Sequence, residues 1–272
     1  MNQNKHEGSK QNTKPVILEY VPESFTQFLE TTGSMLRFSS KFFREIFRPP
    51  FEIKETLRQA YLLGYKSIVL VGITGFIIGM VMTLQTLPTL AQFGAEAWMP
   101  SMISVSIIRE IGPVLTALIC AGKVGSGIGA EIGSMKVTEQ IDAMAVSGAN
   151  PYNYIVVTRV LAATVMLPVL VFYADFIAII GAYVGVSLSD DVTLYLFMTR
   201  AMDAVDYMDI IPSTLKSILF GFTIGMVGCY KGYNAADGTV GVGQAANSAV
   251  VVASLMIFII DLIVVQLTQL FM

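Results

Sequence analysis

Arg109 and Glu110 stand side by side within an otherwise apolar stretch, and Asp175 and Asp261 lie alone within two others. An ionisable residue at bilayer depth costs about 2.5–3.5 kcal/mol on insertion scales, so it must face protein or a water-filled cavity. The guanidinium of Arg109 presents a rigid fork of donors suited to a phosphate. Neighbours on a helix point about 100° apart, so Arg109 and Glu110 do not simply neutralise each other on one face. The pair either lines a lipid cavity or its gate, or joins helices as a buried network. Asp175 and Asp261 fit a protonated acid, a carboxyl bonded to a neighbour or a step in a proton path. A structural role suits both better than a chemical one.

Other chemistries lack their residues. One histidine, His6, sits in a polar stretch, and two cysteines, Cys120 and Cys229, cannot build a disulfide framework. Zinc sites and histidine-based triads are therefore not expected. No G-x-x-x-x-G-K-[ST] occurs: AGKV at residues 121–124 lacks both the spaced glycine and the hydroxyl that would hold magnesium. The GxG pairs at Gly125 and Gly127, and at Gly241 and Gly243, lack a strand before them and read as packing glycines. The expectation is a chain with no catalytic residue, no metal and no cofactor of its own, so active transport must draw on a partner or an ion gradient. A formal net charge of −3 leaves no domain-wide basic surface for nucleic acid.

Hydrophobic residues make up 54% of the 272 and charged ones 14%, against about 45–50% and 25% in soluble domains. The mean hydropathy of +0.66 gathers in runs near the roughly 20 residues that cross a bilayer. This is the pattern of an all-α integral membrane protein. Residues 1–15 read as a disordered cytoplasmic tail. Residues 16–66 read as interfacial amphipathic helices. There Ser24 and Gln27 have capping-box spacing, and Phe28, Leu36, Phe43 and Phe47 recur among Arg37, Lys41, Arg44 and Arg48 until Pro49 and Pro50 end the helix. Packing of that face on protein is the alternative.

Residues 67–272 then hold five spans, at 67–87, 99–122, 155–186, 213–230 and 247–270. Gly75 and Gly79 form a GxxxG in the first, a pattern that also recurs by chance. Lysines and arginines gather before the first span and beside the loops an even number of spans later, while Asp190, Asp191, Asp203, Asp206 and Asp209 gather on the other side. The positive-inside rule then makes the N-terminus cytoplasmic and the C-terminus periplasmic. Lys123 and Glu131 read as an ion pair at the cytoplasmic boundary, and residues 189–207 as an amphipathic helix outside the membrane.

The loop from Gly122 to Pro151 places Gly125, Gly129 and Gly133 on one small-residue face. Lys136 to Val146 then reads as a short amphipathic helix with Val137, Ile141, Met144 and Ala145 on one side, stopped by Gly148 and Pro151. Such a helix either lies in the interface or docks a soluble partner.

The run from Ile107 to Ala162, IIREIGPVLTALICAGKVGSGIGAEIGSMKVTEQIDAMAVSGANPYNYIVVTRVLA, resembles the signature of the MlaE, or YrbE-type, family of ABC transporter permeases. Further matches are GYNA at Gly232 to Ala235 and Asp261 in the last span; Thr158 stands where family members often have proline before Arg159. The resemblance implies a homodimeric five-span permease with an N-terminal interfacial helix in a bacterial inner membrane. Its implied partners are a cytoplasmic ABC ATPase carrying ATP and Mg, a STAS-type accessory protein and a periplasmic MCE-type protein, with phospholipid as cargo. It also implies a coupling helix whose Glu-Gln pair falls on Glu139 and Gln140, with Ile141 and Met144 behind them. Against this stand an ion-coupled secondary transporter or channel, with helices broken at Pro113 and Pro168, and a lipid-modifying membrane enzyme. The latter lacks a nucleophile and base.

Overall fold

A computed structural model describes residues 23–49, 51–188 and 192–271, with side chains described from residue 32 to residue 270 within those ranges. The expected tail, Pro50, Asp190, Asp191 and the side chains of Ser24 and Gln27 lie outside the described residues. The chain divides into two units, Met1–Phe43 and Arg44–Met272. Helix α1, Glu23–Glu45, accounts for the described part of the first. Its Phe42 and Phe43 rings meet edge-on with centroids 5.5 Å apart.

The second unit is all helix among its described elements: α2 Ile53–Gln92, α3 Met99–Ser106, α4 Gly112–Cys120, α5 Ser126–Val137, α6 Gln140–Val146, α7 Thr158–Ser187, α8 Leu194–Asp203, α9 Tyr207–Tyr233 and α10 Gly238–Phe271. Among the described residues, widened turns join α3 to α4 and α4 to α5 without a break, at Ile107–Ile111 and Ala121–Gly125, and a third, Tyr152–Val157, leads straight into α7. Among the described residues, five stretches are long and apolar enough to cross a membrane: Ile53–Gln92, Glu96–Val137, Tyr152–Ser187, Tyr207–Tyr233 and Gly238–Leu270.

The five spans are those expected, but longer. The amphipathic piece before the first span is not a separate helix, because nothing between Phe51 and Lys66 stops the hydrogen-bond ladder and α2 runs through it. The second span likewise continues past Gly122 to Val137, so much of the expected loop is helix. Pro168 lies inside α7, and Pro113 sits at the start of α4 directly after a widened turn. Neither proline separates two half-helices, which removes the observation that favoured an ion-coupled carrier.

Helix α7 is the central span, packing on α2, α4 and α9, while α9 packs on α5 and α10. Small residues make the closest approach possible. A Cβ built on Gly79 would lie 1.8 Å from the Ala178 carbonyl oxygen, and one on Gly181 would lie 2.1 Å from that of Phe76. Thr83, one turn on, donates its hydroxyl to the Ala182 carbonyl at 3.1 Å. The GxxxG is thus a true helix contact, of the kind that holds spans together where lipid removes the hydrophobic drive. Gly228 and Gly232 of α9 pack in the same way on Gly125 and Gly129, while Gly133, the third member of that small-residue face, meets Ala235 and Val242.

Beyond the spans, α8 turns Phe197 and Ala201 into a buried cluster with Leu87, Ile103 and Ala182. Ser104 donates to the Ala201 carbonyl at 2.9 Å, and Arg200 to that of Ala97 at 3.0 Å. The helix outside the apolar windows is therefore clamped onto the bundle.

Candidate functional site

The widened turn Ile107–Ile111 carries Arg109 and Glu110, and both side chains reach α9. Arg109 donates through Nε to Asp209 Oδ1 at 2.8 Å and through Nη2 to the same oxygen. Lys216 Nζ donates to Glu110 Oε2 at 2.6 Å and lies 3.0 Å from Asp261 Oδ1 of α10. Two cations and three carboxylates from three spans thus form one network. An ammonium taken out of water must be paired, and Lys216, whose side chain is 1% exposed, has two carboxylates. Asp209 does double duty. Its Oδ2 accepts the Asp206 amide at 3.1 Å, closing a capping box at the start of α9, while its other oxygen holds Arg109.

The network borders a cavity of about 510 Å³ whose lining includes Arg109, Glu110, Lys216, Asp261, Met208 and Leu262. Arg109 and Glu110 are 46% and 38% exposed and face this space, whereas Asp209 is buried behind them. Lys216 lies about 14 Å along α9 from Tyr207, at 1.5 Å per residue. The network therefore sits within the half of the spans that ends in Asp203, Asp206 and Asp209. Adjacency did not make Arg109 and Glu110 partners of each other: their contacts join helices, and both residues border the cavity. Asp261 belongs to the same constellation through Lys216. Lys216 itself was missed by sequence reasoning; the available signal was that several acids within apolar stretches require a buried cation.

Asp175 stands apart from this cavity. It is buried, its two oxygens have no hydrogen-bond partner among the described residues, and a Cβ on Gly112 would lie 1.7 Å from its Oδ1. Glycine at 112 makes room for the carboxyl. Lys123 and Glu131 are not a pair. Glu131 Oε1 accepts from the buried Arg159 at 2.7 Å, and Lys123 donates to the Lys66 carbonyl. A buried guanidinium has the stronger need of a carboxylate.

The helix expected over Lys136–Val146 is two pieces. Helix α5 ends at Val137, and Glu139 takes φ 58, the positive φ found at no other described non-glycine residue. Helix α6 starts after it at Gln140, and Gly148, at φ 79, ends it. Left-handed backbone is uncommon for a side chain with a Cβ, and here it turns α6 away from the axis of α5. Glu139 and Gln140 are exposed while Ile141 is buried and Met144 half-buried. The polar pair is thus displayed and the apolar pair seats the helix. After α6, Asn150 donates to Glu45 Oε2 at 2.8 Å and Asn153 to the Arg48 carbonyl at 3.3 Å. Glu45 is 6% exposed, so Asn150→Ala is expected to lower stability by about 1–3 kcal/mol, read as a lower unfolding temperature in detergent.

The family model for Permease MlaE matches residues 56–267, and so covers the charged network and α6 together. The chain belongs to the MlaE permease family. The permease is 36% identical to a "Probable ABC transporter permease protein" of Rickettsia felis, over 92% of its own length and 97% of that relative. It is 33% identical to the "Intermembrane phospholipid transport system permease protein MlaE" of Haemophilus influenzae, over 76% of the permease and 80% of the relative. Identity to the Arabidopsis thaliana protein TRIGALACTOSYLDIACYLGLYCEROL 1, chloroplastic, is 32%, over 77% and 60% of the two chains.

Proposed function

We propose that the permease is the membrane half of an ATP-driven lipid transporter in a bacterial inner membrane, with its N-terminus cytoplasmic and its C-terminus periplasmic. It moves phospholipid between that membrane and a periplasmic MCE-type carrier. The observation that carries this reading is the charged cavity of about 510 Å³ opening beside α10. Leu262 lines that cavity and continues a face on which Val251, Leu255 and Phe258 are also exposed. A second copy seated on this face would enclose the space between two subunits, leaving Arg109 to meet a phosphate and the apolar wall to meet acyl chains. No covalent chemistry is required of the chain. ATP and Mg belong to an ABC ATPase docked on α6, where Glu139 and Gln140 meet it, and a STAS-type protein accompanies the ATPase.

The names of the Rickettsia and Haemophilus relatives support this reading. Its test is purification of the full chain with whatever it binds, followed by lipid transfer between vesicles and carrier. An ATP-hydrolysing subunit is expected to copurify, and Glu139→Lys, which reverses a docking charge, is expected to slow transfer at least about tenfold. Glu139→Gly, which keeps the backbone turn but removes the carboxylate, should show a smaller loss. Absence of a copurifying ATPase, with transfer unchanged by Glu139→Lys, would overturn the proposal.

A further inference from the structure

A second cavity lies at the lysine-bearing end of the spans, between α2 and the widened turn Ala121–Gly125, and encloses about 370 Å³. It shares no lining residue with the charged cavity. Its polar lining includes Lys66, Ser67, Lys123 and Gln59, the last donating to Glu55 at 2.8 Å, and its apolar lining includes Leu62, Leu63 and Ile128. Arg58, also in the lining, is taken by Glu55 at 3.3 Å, and Glu131 by Arg159 at 2.7 Å. Lys66 and Lys123 are then the lining cations with no acidic partner among the described residues. Lys123 donates to the carbonyl of Lys66, which fixes its ammonium beside that residue. Ser67 is completely buried, yet its hydroxyl has no hydrogen-bond partner among the described residues. A buried polar group of this kind calls for a ligand or water to complete it.

The position adds a further constraint. Ser67 opens the charge-free part of α2, which runs to the helix end at Gln92, so the cavity lies where the hydrocarbon meets the headgroups. Gly127 in its lining leaves open space, since a Cβ there would meet nothing within 4 Å. Two uncompensated lysines beside a buried hydroxyl suit a phosphate, and the adjoining leucines suit the acyl chains that only a lipid phosphate carries.

We propose that this cavity binds the phosphate of an anionic glycerophospholipid from the leaflet at the lysine-bearing end. Lys66 and Lys123 donate to the phosphate oxygens, the Ser67 hydroxyl completes the site, and the acyl chains lie along Leu62, Leu63 and Ile128. This gives the permease a headgroup site separate from its charged cavity, and its role in loading cargo rests on the transport reading above, although binding itself does not.

The full chain in nanodiscs of phosphatidylcholine doped with phosphatidylglycerol, ejected into a native mass spectrometer, tests it. The wild type is expected to retain phosphatidylglycerol selectively, and Lys66→Gln with Lys123→Gln to lower that retention about tenfold. Lys66→Arg with Lys123→Arg should keep it, which separates charge from misfolding, and Ser67→Ala should lower it a few-fold. Unchanged retention in the glutamine variant overturns the proposal. So does displacement of the lipid by inorganic phosphate alone, which would mark a free-phosphate site. Transfer assays bear on the transport reading and retention on this site, so the two fail separately.

Discussion

Lys216→Met is expected to be the most damaging single change in the charged network. Methionine fills a similar volume, but Glu110 Oε2, 2.6 Å from the ammonium, and Asp261 Oδ1, 3.0 Å from it, lose their shared cation. Removing one partner from a fully buried pair costs about 3–5 kcal/mol; Glu110, 38% exposed to the cavity, is solvated in part, so the loss stays below that range and falls mainly on Asp261, which is 19% exposed. The unfolding temperature in detergent should fall sharply, and lipid transfer with it. Adding Glu110→Gln and Asp261→Asn removes the stranded charges and should restore much of the thermal stability. If the restored protein still fails to transfer lipid, the charges act on cargo. If transfer returns with stability, the network is architectural and the cavity reading is wrong.

Gly79→Val is expected to abolish the folded protein by a different route. The contact at Gly79 is backbone against backbone: even the Cβ of alanine would fall 1.8 Å from the Ala178 oxygen, where no flexible side chain can yield. Separating α2 from α7 also pulls Gly181 off Phe76 and breaks the bond from Thr83 to Ala182. Overpacking usually costs about 1–3 kcal/mol, and a shift that opens several turns of a helix pair exceeds it. Size-exclusion profiles and unfolding temperatures check this, with Gly33→Ala, whose Cβ meets nothing within 4 Å, as a control. A monodisperse Gly79→Val protein with wild-type stability would show that α2 and α7 do not meet there.

The number and type of the spans were legible in the sequence because each carries a long window poor in charge. Their ends were not. Residues 53–66 and 126–137 are polar enough to read as interface or loop, yet no proline interrupts the ladder in either, so the helices run through them. The site was legible in part. Arg109, Glu110 and Asp261 drew notice as charges within apolar runs, but partners distant in sequence, Asp209 and Lys216, emerge only when α9 is packed beside the second span. Asp209 lay among the acids of an outer segment, where solvation explains a carboxylate sufficiently. The glycines were the reverse case: a spacing common by chance turned out to mark a backbone-to-backbone contact between α2 and α7.

The first span has a mechanical consequence. At 1.5 Å per residue its 40 residues extend about 60 Å, twice the roughly 30 Å of hydrocarbon. Bolted to α7 through atoms that cannot bend aside, it is a stiff strut as far as Leu87, before Pro88 removes a ladder hydrogen bond near its end. One end carries the lysine-lined cavity, and toward the other Leu87 leans on the same buried cluster as α8. A tilt imposed at one membrane surface must reappear at the opposite surface with little loss. The compliance of the machine is then confined to its joints, such as the left-handed bend at Glu139, rather than spread along its beams.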